Sequence, residues 1–184
     1  MGFIMKDSQY TISTNGSLVL PSTGTRAWVF QFSLIVAAVL LPAAAHLTGA
    51  PVRWLLPMHW PVILAALVYG WRGGMTVGAL APASNYLLTG YPLLLKAFPM
   101  TFELAIYGLV IGWLREKQAW NSFAAVTVGL IAGRVVFLSI ILMTGANEIV
   151  FSQYIITAMI PGLIAGVIQV ATMPSLARVW IKNK

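Results

Sequence analysis

Long apolar runs, broken only by brief polar turns, constrain this chain more than any motif does. Residues 57–82 read PMHWPVILAALVYGWRGGMTVGALAP, and the runs at 27–48 and 122–144 are just as apolar. Only 8% of the 184 residues are charged, against 59% hydrophobic, where a soluble domain carries about 25% charge. That is too little charge to cover a surface facing water. The fold is therefore expected to sit in lipid. The formal net charge of +7 then reads as basic helix ends, or as groups facing an anionic lipid or ligand.

Six helices are expected, at 27–48, 58–72, 74–90, 100–115, 122–144 and 153–178. The fold class is all-α: a polytopic bundle of six transmembrane helices with both termini cytoplasmic. A full crossing takes about 20 apolar residues, so the second, third and fourth helices are short. Cytoplasmic termini put Lys6, Arg26, Arg72, Arg115, Lys117, Arg178, Lys182 and Lys184 inside and leave only Arg53 and Lys96 outside. Such asymmetry sets membrane orientation. Residues 1–25 lack a basic stretch followed by an apolar core, so they read as a polar tail ahead of a single membrane domain at 26–184.

Glycines recur at four-residue spacing: Gly70, Gly74 and Gly78, then Gly108 and Gly112, Gly129 and Gly133, Gly162 and Gly166. Residues four apart share one helix face, and glycine there lets helices approach closely in lipid. The plain reading is tight packing. The functional one is a smooth face for a partner.

Polar side chains at membrane depth are expensive, so each is a site candidate. Glu103 and Arg134 fall at similar depth towards the outer side, and Tyr107 shares the Glu103 face four residues on. His59 opens the second helix, Asn85 and Tyr86 lie near the outer end of the third, and Asn147 and Tyr154 border the last outer loop. Trp54 and Trp60 flank the first outer loop, where an interfacial aromatic belt is the alternative. All of these converge on the outer third of the bundle. An outward pocket fits that distribution better than a channel, which needs polar groups along its whole length. Arg134 suits a carboxylate or phosphate, Glu103 suits N–H donors of a heteroaromatic ring, and the aromatic residues suit stacking. Glu103 and Arg134 admit a second reading, in which they pair with each other. His59 equally reads as a cap on its helix.

The sequence has no cysteine and only two histidines, so disulfides, thiol chemistry and a metal site are not expected. No P-loop, nucleophile elbow or zinc-protease motif occurs, and no cofactor is expected. The basic residues are spread over helix ends rather than gathered in a patch, which argues against nucleic acid.

Residues 57–113 carry a resemblance. His59 and Pro61 form an H-x-P opening to helix 2, Gly70 and Gly74 mark the turn into helix 3, Pro82 lies within it, and Gly90 and Pro92 follow. Glu103, Tyr107 and Gly108 make an E-x-x-x-Y-G start to helix 4. This pattern resembles the substrate-binding S-components of energy-coupling factor (ECF) transporters. The resemblance implies a prokaryotic cell-membrane protein, not an enzyme, that binds one vitamin-like molecule near its outer face. Its partners would be an ECF transmembrane scaffold subunit and two cytoplasmic ATPases. Small residues four apart on the first helix would meet the scaffold, with Ser33 and Ala37 the nearest match, and Gly70, Gly74 and Gly78 would add to that contact face. A vitamin precursor, pyridine, pterin or deazapurine would suit the pocket. Two other classes are a structural or assembly protein of similar layout, resembling a rod-shape determinant, and an intramembrane enzyme using Glu103 with His59.

Overall fold

A computed structural model describes residues 18–90, 92–144, 157 and 159–182. Its helices are α1 (Thr25–Leu47), α2 (Val52–Leu55), α3 (His59–Thr89), α4 (Leu94–Glu116), α5 (Ser122–Met143) and α6 (Ile160–Lys182). No strand occurs among the described residues. All but α2 are long and apolar enough to cross a membrane, giving five such helices.

The second and third expected helices lie within α3, and the boundary between them is Gly70. Its φ of 71° and ψ of −165° are non-helical, in a region open to glycine almost alone. The chain folds back there. A Cβ on Gly74 would stand only 2.8 Å from the Ala66 Cα, whereas residues eight apart in a straight helix are separated by about 12 Å. The first arm is apolar nearly all round, and Val62, Ile63, Ala65, Ala66, Leu67 and Val68 are all buried, as suits a core segment.

The second arm of α3 lies antiparallel to α4, and α3 with α4 is the most extensive helix pairing among the described residues. Gly78 abuts the Leu104 carbonyl, Gly74 meets Gly108, and Gly112 meets the backbone of Gly70 and Trp71. Any side chain at these positions would strike backbone. On its other side α4 receives α5, where Gly129 seats Ile111 and Gly133 seats the Tyr107 ring. α1 packs on α3, and α6 contacts α2, α3 and α5. Apolar residues such as Phe32, Leu142 and Val179 remain exposed on the outer helices, as in a protein facing lipid tails.

α4 begins six residues before its expected start at 100, running through Pro99. A proline removes one main-chain donor and so one i→i−4 bond, and this helix absorbs that loss in its second turn. The final helix extends beyond the expected 178 to Lys182. Part of the expected polar tail is tied down: the Leu20 N–H donates to the Val68 carbonyl at 2.7 Å, and Gln31 Nε2 donates to the Ser22 carbonyl at 3.0 Å.

Contacts also sort the helix ends. Phe30 meets Trp180 edge-on at 4.2 Å, Arg178 lies 5.6 Å from the Phe123 ring centre, and Glu116 packs on Gly70. One end of the bundle thus gathers Arg26, Arg72, Arg115, Lys117, Arg178 and Lys182.

Because Gly108 lies on backbone of α3, Gly108→Val should separate α3 from α4. The expected loss is at or beyond the ~1–3 kcal/mol of ordinary overpacking, read as a large fall in melting temperature in detergent. Gly166→Ala, where a Cβ finds its nearest neighbour at 3.6 Å, should leave that temperature nearly unchanged.

Candidate functional site

The site is built on α4. Glu103 and Tyr107 are one turn apart, so the Tyr107 hydroxyl donates to Glu103 Oε1 at 2.6 Å. Arg134 of α5 brings Nη1 to 3.2 Å from the same oxygen. α5 comes this near because Gly133, beside Arg134, lies flat on the Tyr107 ring. α6 leaves room in turn: a Cβ on Gly162 would stand 2.9 Å from Arg134 Nη2. The Glu103 side chain is 2% exposed and that of Arg134 19%. The carboxylate is therefore committed to a buried ion pair and a hydroxyl. The two residues thus meet each other directly, while Arg134 also lines the neighbouring hollow.

Next to this pair is a hollow of about 680 Å³ between the start of α3, α4, α5 and α6. Its volume lies in the range of small-molecule pockets. Tyr107, Arg134, His59, Gln169 and Thr127 supply its polar lining, and Leu130 and Val167 are among the aliphatic residues that wall it. Glu103 does not line it; Tyr107 and Arg134 stand in front. With the carboxylate balancing the guanidinium, the group facing the hollow carries no net charge.

His59 is the least satisfied member. It is 2% exposed, its ring centre is 5.5 Å from that of Tyr107, and neither ring nitrogen makes a well-formed hydrogen bond among the described residues, although the Leu56 carbonyl acts on the ring. The Leu56 carbonyl accepts from the His59 main-chain N–H at 2.9 Å. An imidazole buried with so little hydrogen bonding costs free energy that a bound molecule would return. Gln169 is held only loosely, its Nε2 lying 3.5 Å from the Leu55 carbonyl. That carbonyl already accepts from Trp60 Nε1 at 2.8 Å.

The other candidates part company with the pocket. Asn85 is buried, but its contacts are with Thr89, whose Oγ1 donates to the Asn85 carbonyl at 2.8 Å. Neither Asn85 nor Tyr86 lines the hollow, because α4 stands between it and the second arm of α3. Trp54 lies on α2, 40% exposed, and also falls outside the lining. Asn147 and Tyr154 lie outside the described residues. Gly70, Gly74 and Gly78, expected to offer a face to a partner, are instead buried against α4 of the same chain. A surface filled internally is closed to a second protein. Ser33 is exposed on α1 beside Val29 and Phe32, its Oγ donating to the Val29 carbonyl at 2.9 Å, and Ala37 is half-buried.

Sequence reasoning missed Gln169. The signal was present, a lone amide in the apolar stretch GLIAGVIQVATM, and such residues are costly in lipid. Among the described residues no three His, Asp or Glu side chains gather as metal ligands would.

Removing one partner of a buried ion pair strands the other. Glu103→Gln and Arg134→Gln should each lower stability by about 3–5 kcal/mol. The double variant should recover part of that loss in a double-mutant cycle of unfolding in detergent; strict additivity would show that the pair is not coupled.

Comparison with protein families matches the model of the ECF transporter, substrate-specific component, to residues 32–179. No curated protein and no solved structure matches the chain. The family is one of transporter components, not of enzymes, and with five apolar helices the chain is a multi-pass protein of a prokaryotic cell membrane. A match over most of the length, on a bundle with a pocket of ligand size, places this chain in the family of substrate-specific components of ECF transporters.

Proposed function

We propose that this chain captures a vitamin or vitamin-precursor-like molecule for an ECF-type ABC importer, holding it in the hollow between α5 and α6. The observation that carries this reading is His59: a fully buried imidazole with no well-formed hydrogen bond and only the Leu56 carbonyl acting on it, lining a cavity of about 680 Å³. The family supplies the transport context.

Counting the two arms of α3 separately gives six passes, and an even number returns both termini to one side. The end that gathers Arg26, Arg72, Arg115, Lys117, Arg178 and Lys182 is then cytoplasmic by the positive-inside rule. Glu103, Tyr107, Arg134 and His59 lie in the opposite, outer half. Partners are an ECF membrane scaffold and two cytoplasmic ATPases. The exposed stripe of α1 around Ser33 and Ala37 is the face offered to the scaffold.

The chemistry of the lining narrows the guest. Arg134 is already paired with Glu103, so the carboxylate or phosphate that suits it in the sequence is not needed to balance it. A flat, largely apolar ring fits better, packed against Tyr107 with one polar atom meeting His59. Neutral imidazole offers one donor and one acceptor, so it accommodates either polarity at that atom. Glu103 acts from behind, fixing the Tyr107 hydroxyl and the Arg134 guanidinium.

Native mass spectrometry of protein purified in mild detergent should reveal a small co-purifying molecule. Leu130→Trp should fill the hollow and abolish retention while the protein stays folded. Empty wild-type protein, unresponsive in a thermal-shift screen of heteroaromatic compounds, would overturn the reading. His59→Ala should weaken binding of the molecule so identified by roughly 2- to 12-fold, the loss of one hydrogen bond of about 0.5–1.5 kcal/mol. Unchanged affinity in that variant would remove His59 from the site.

A further inference from the structure

A second polar cluster lies at the basic end, where α4 passes to α5, one helical turn beyond Thr127 at the edge of the hollow. In the connecting turn Ala119 has φ 52°, a left-handed backbone that residues with a Cβ seldom adopt. This turn brings Trp120 back against α4. The Trp120 N–H donates to the Leu114 carbonyl at 3.0 Å, and Arg115 Nη1 donates to the Trp120 carbonyl at 2.7 Å. From the other side Arg178 of α6 lies 5.6 Å from the Phe123 ring centre. Two guanidinium groups on different helices thus converge on residues 120–123.

Among the described residues no carboxylate pairs with them, and only the partial negative end of α4, where Arg115 lies in the last turn, offsets their charge. Neither Arg115 nor Arg178 forms a salt bridge among the described residues; Glu116 is taken by Lys117 at 3.2 Å, and Glu103 by Arg134. Arg115 Nε is buried without a hydrogen-bond partner. The start of α5 adds to the same positive potential, and its cap, Asn121, spends its side chain on the Phe123 N–H. Like charges drawn together on a strained turn call for an anion with several acceptor oxygens. Planar guanidinium forks match phosphate oxygens in pairs. Trp113 and Trp120 are exposed alongside, and tryptophan favours headgroup depth.

We infer that Arg115 and Arg178, with the 120–123 turn between them, form a binding site for a phosphate group, supplied by an anionic phospholipid headgroup or by free phosphate. The full chain is placed in nanodiscs of phosphatidylcholine with or without phosphatidylglycerol, then released for native mass spectrometry. Wild-type protein should retain phosphatidylglycerol over phosphatidylcholine, and Arg115→Gln/Arg178→Gln should lose that preference by roughly tenfold, as expected for charge-assisted hydrogen bonds. Arg115→Lys/Arg178→Lys keeps the charge without the forks and should restore only part of it. In a parallel arm, inorganic phosphate is titrated against wild-type protein in phosphatidylcholine nanodiscs and the melting temperature followed. A saturable rise lost in the glutamine variant, without phosphatidylglycerol retention, assigns the site to free phosphate. Equal phosphatidylglycerol retention by wild type and variant, with no phosphate effect that the substitutions remove, overturns the inference. Arg178→Gln alone, at an exposed residue, replaces the double variant if that does not fold, and the same outcomes decide.

Discussion

The direct meeting of backbones between α3 and α4 underlies everything else in this molecule. Lipid tails are as apolar as leucine, so helices gain nothing by hiding apolar surface from one another. Cohesion has to come from contact, and contact is closest where side chains are missing. Gly74 on Gly108 and Gly78 on the Leu104 carbonyl bring the two helices together as a single slab. Gly133 then lets α5 lie against that slab at Tyr107. The carboxylate, hydroxyl and guanidinium could not meet at hydrogen-bond distance across thicker interfaces.

The polar groups divide into two tasks. Glu103 is spent internally, on Tyr107 and Arg134. His59 and Gln169 are left poorly satisfied beside open space. A purely structural network would close its own hydrogen bonds, as Gln31 does through Ser22 and Thr89 does through Asn85. The contrast separates residues that shape the hollow from residues that face it.

Much of this was legible in the sequence. Basic residues sorted to one end, and His59, Tyr107 and Arg134 stood out because polar groups are rare at membrane depth. Depth along a helix is what a linear reading supplies; which helix stands in the way is not. Asn85 and Tyr86 lie towards the end of the bundle away from the basic residues but are cut off by α4. Among Gly70, Gly73 and Gly74 no rule of spacing says which one takes the reversed backbone, and the choice of Gly70 depends on α4 fitting against it. Pro99 reads as a stop signal because it lacks an N–H, yet a helix that loses one bond in its second turn continues. Gln169 was overlooked because it stands alone, without the neighbours that made Glu103 and Tyr107 conspicuous.

Pairing the Arg134 cation with the Glu103 anion has an electrical consequence. A lone guanidinium shifted through the membrane field would gain or lose about 2.3 kcal/mol per 100 mV of potential. When the two opposite charges move together, those works cancel. When the pair translates as a unit, the resting voltage of the cell neither drives nor resists it, and a tilt is felt only through the short dipole between two atoms 3.2 Å apart.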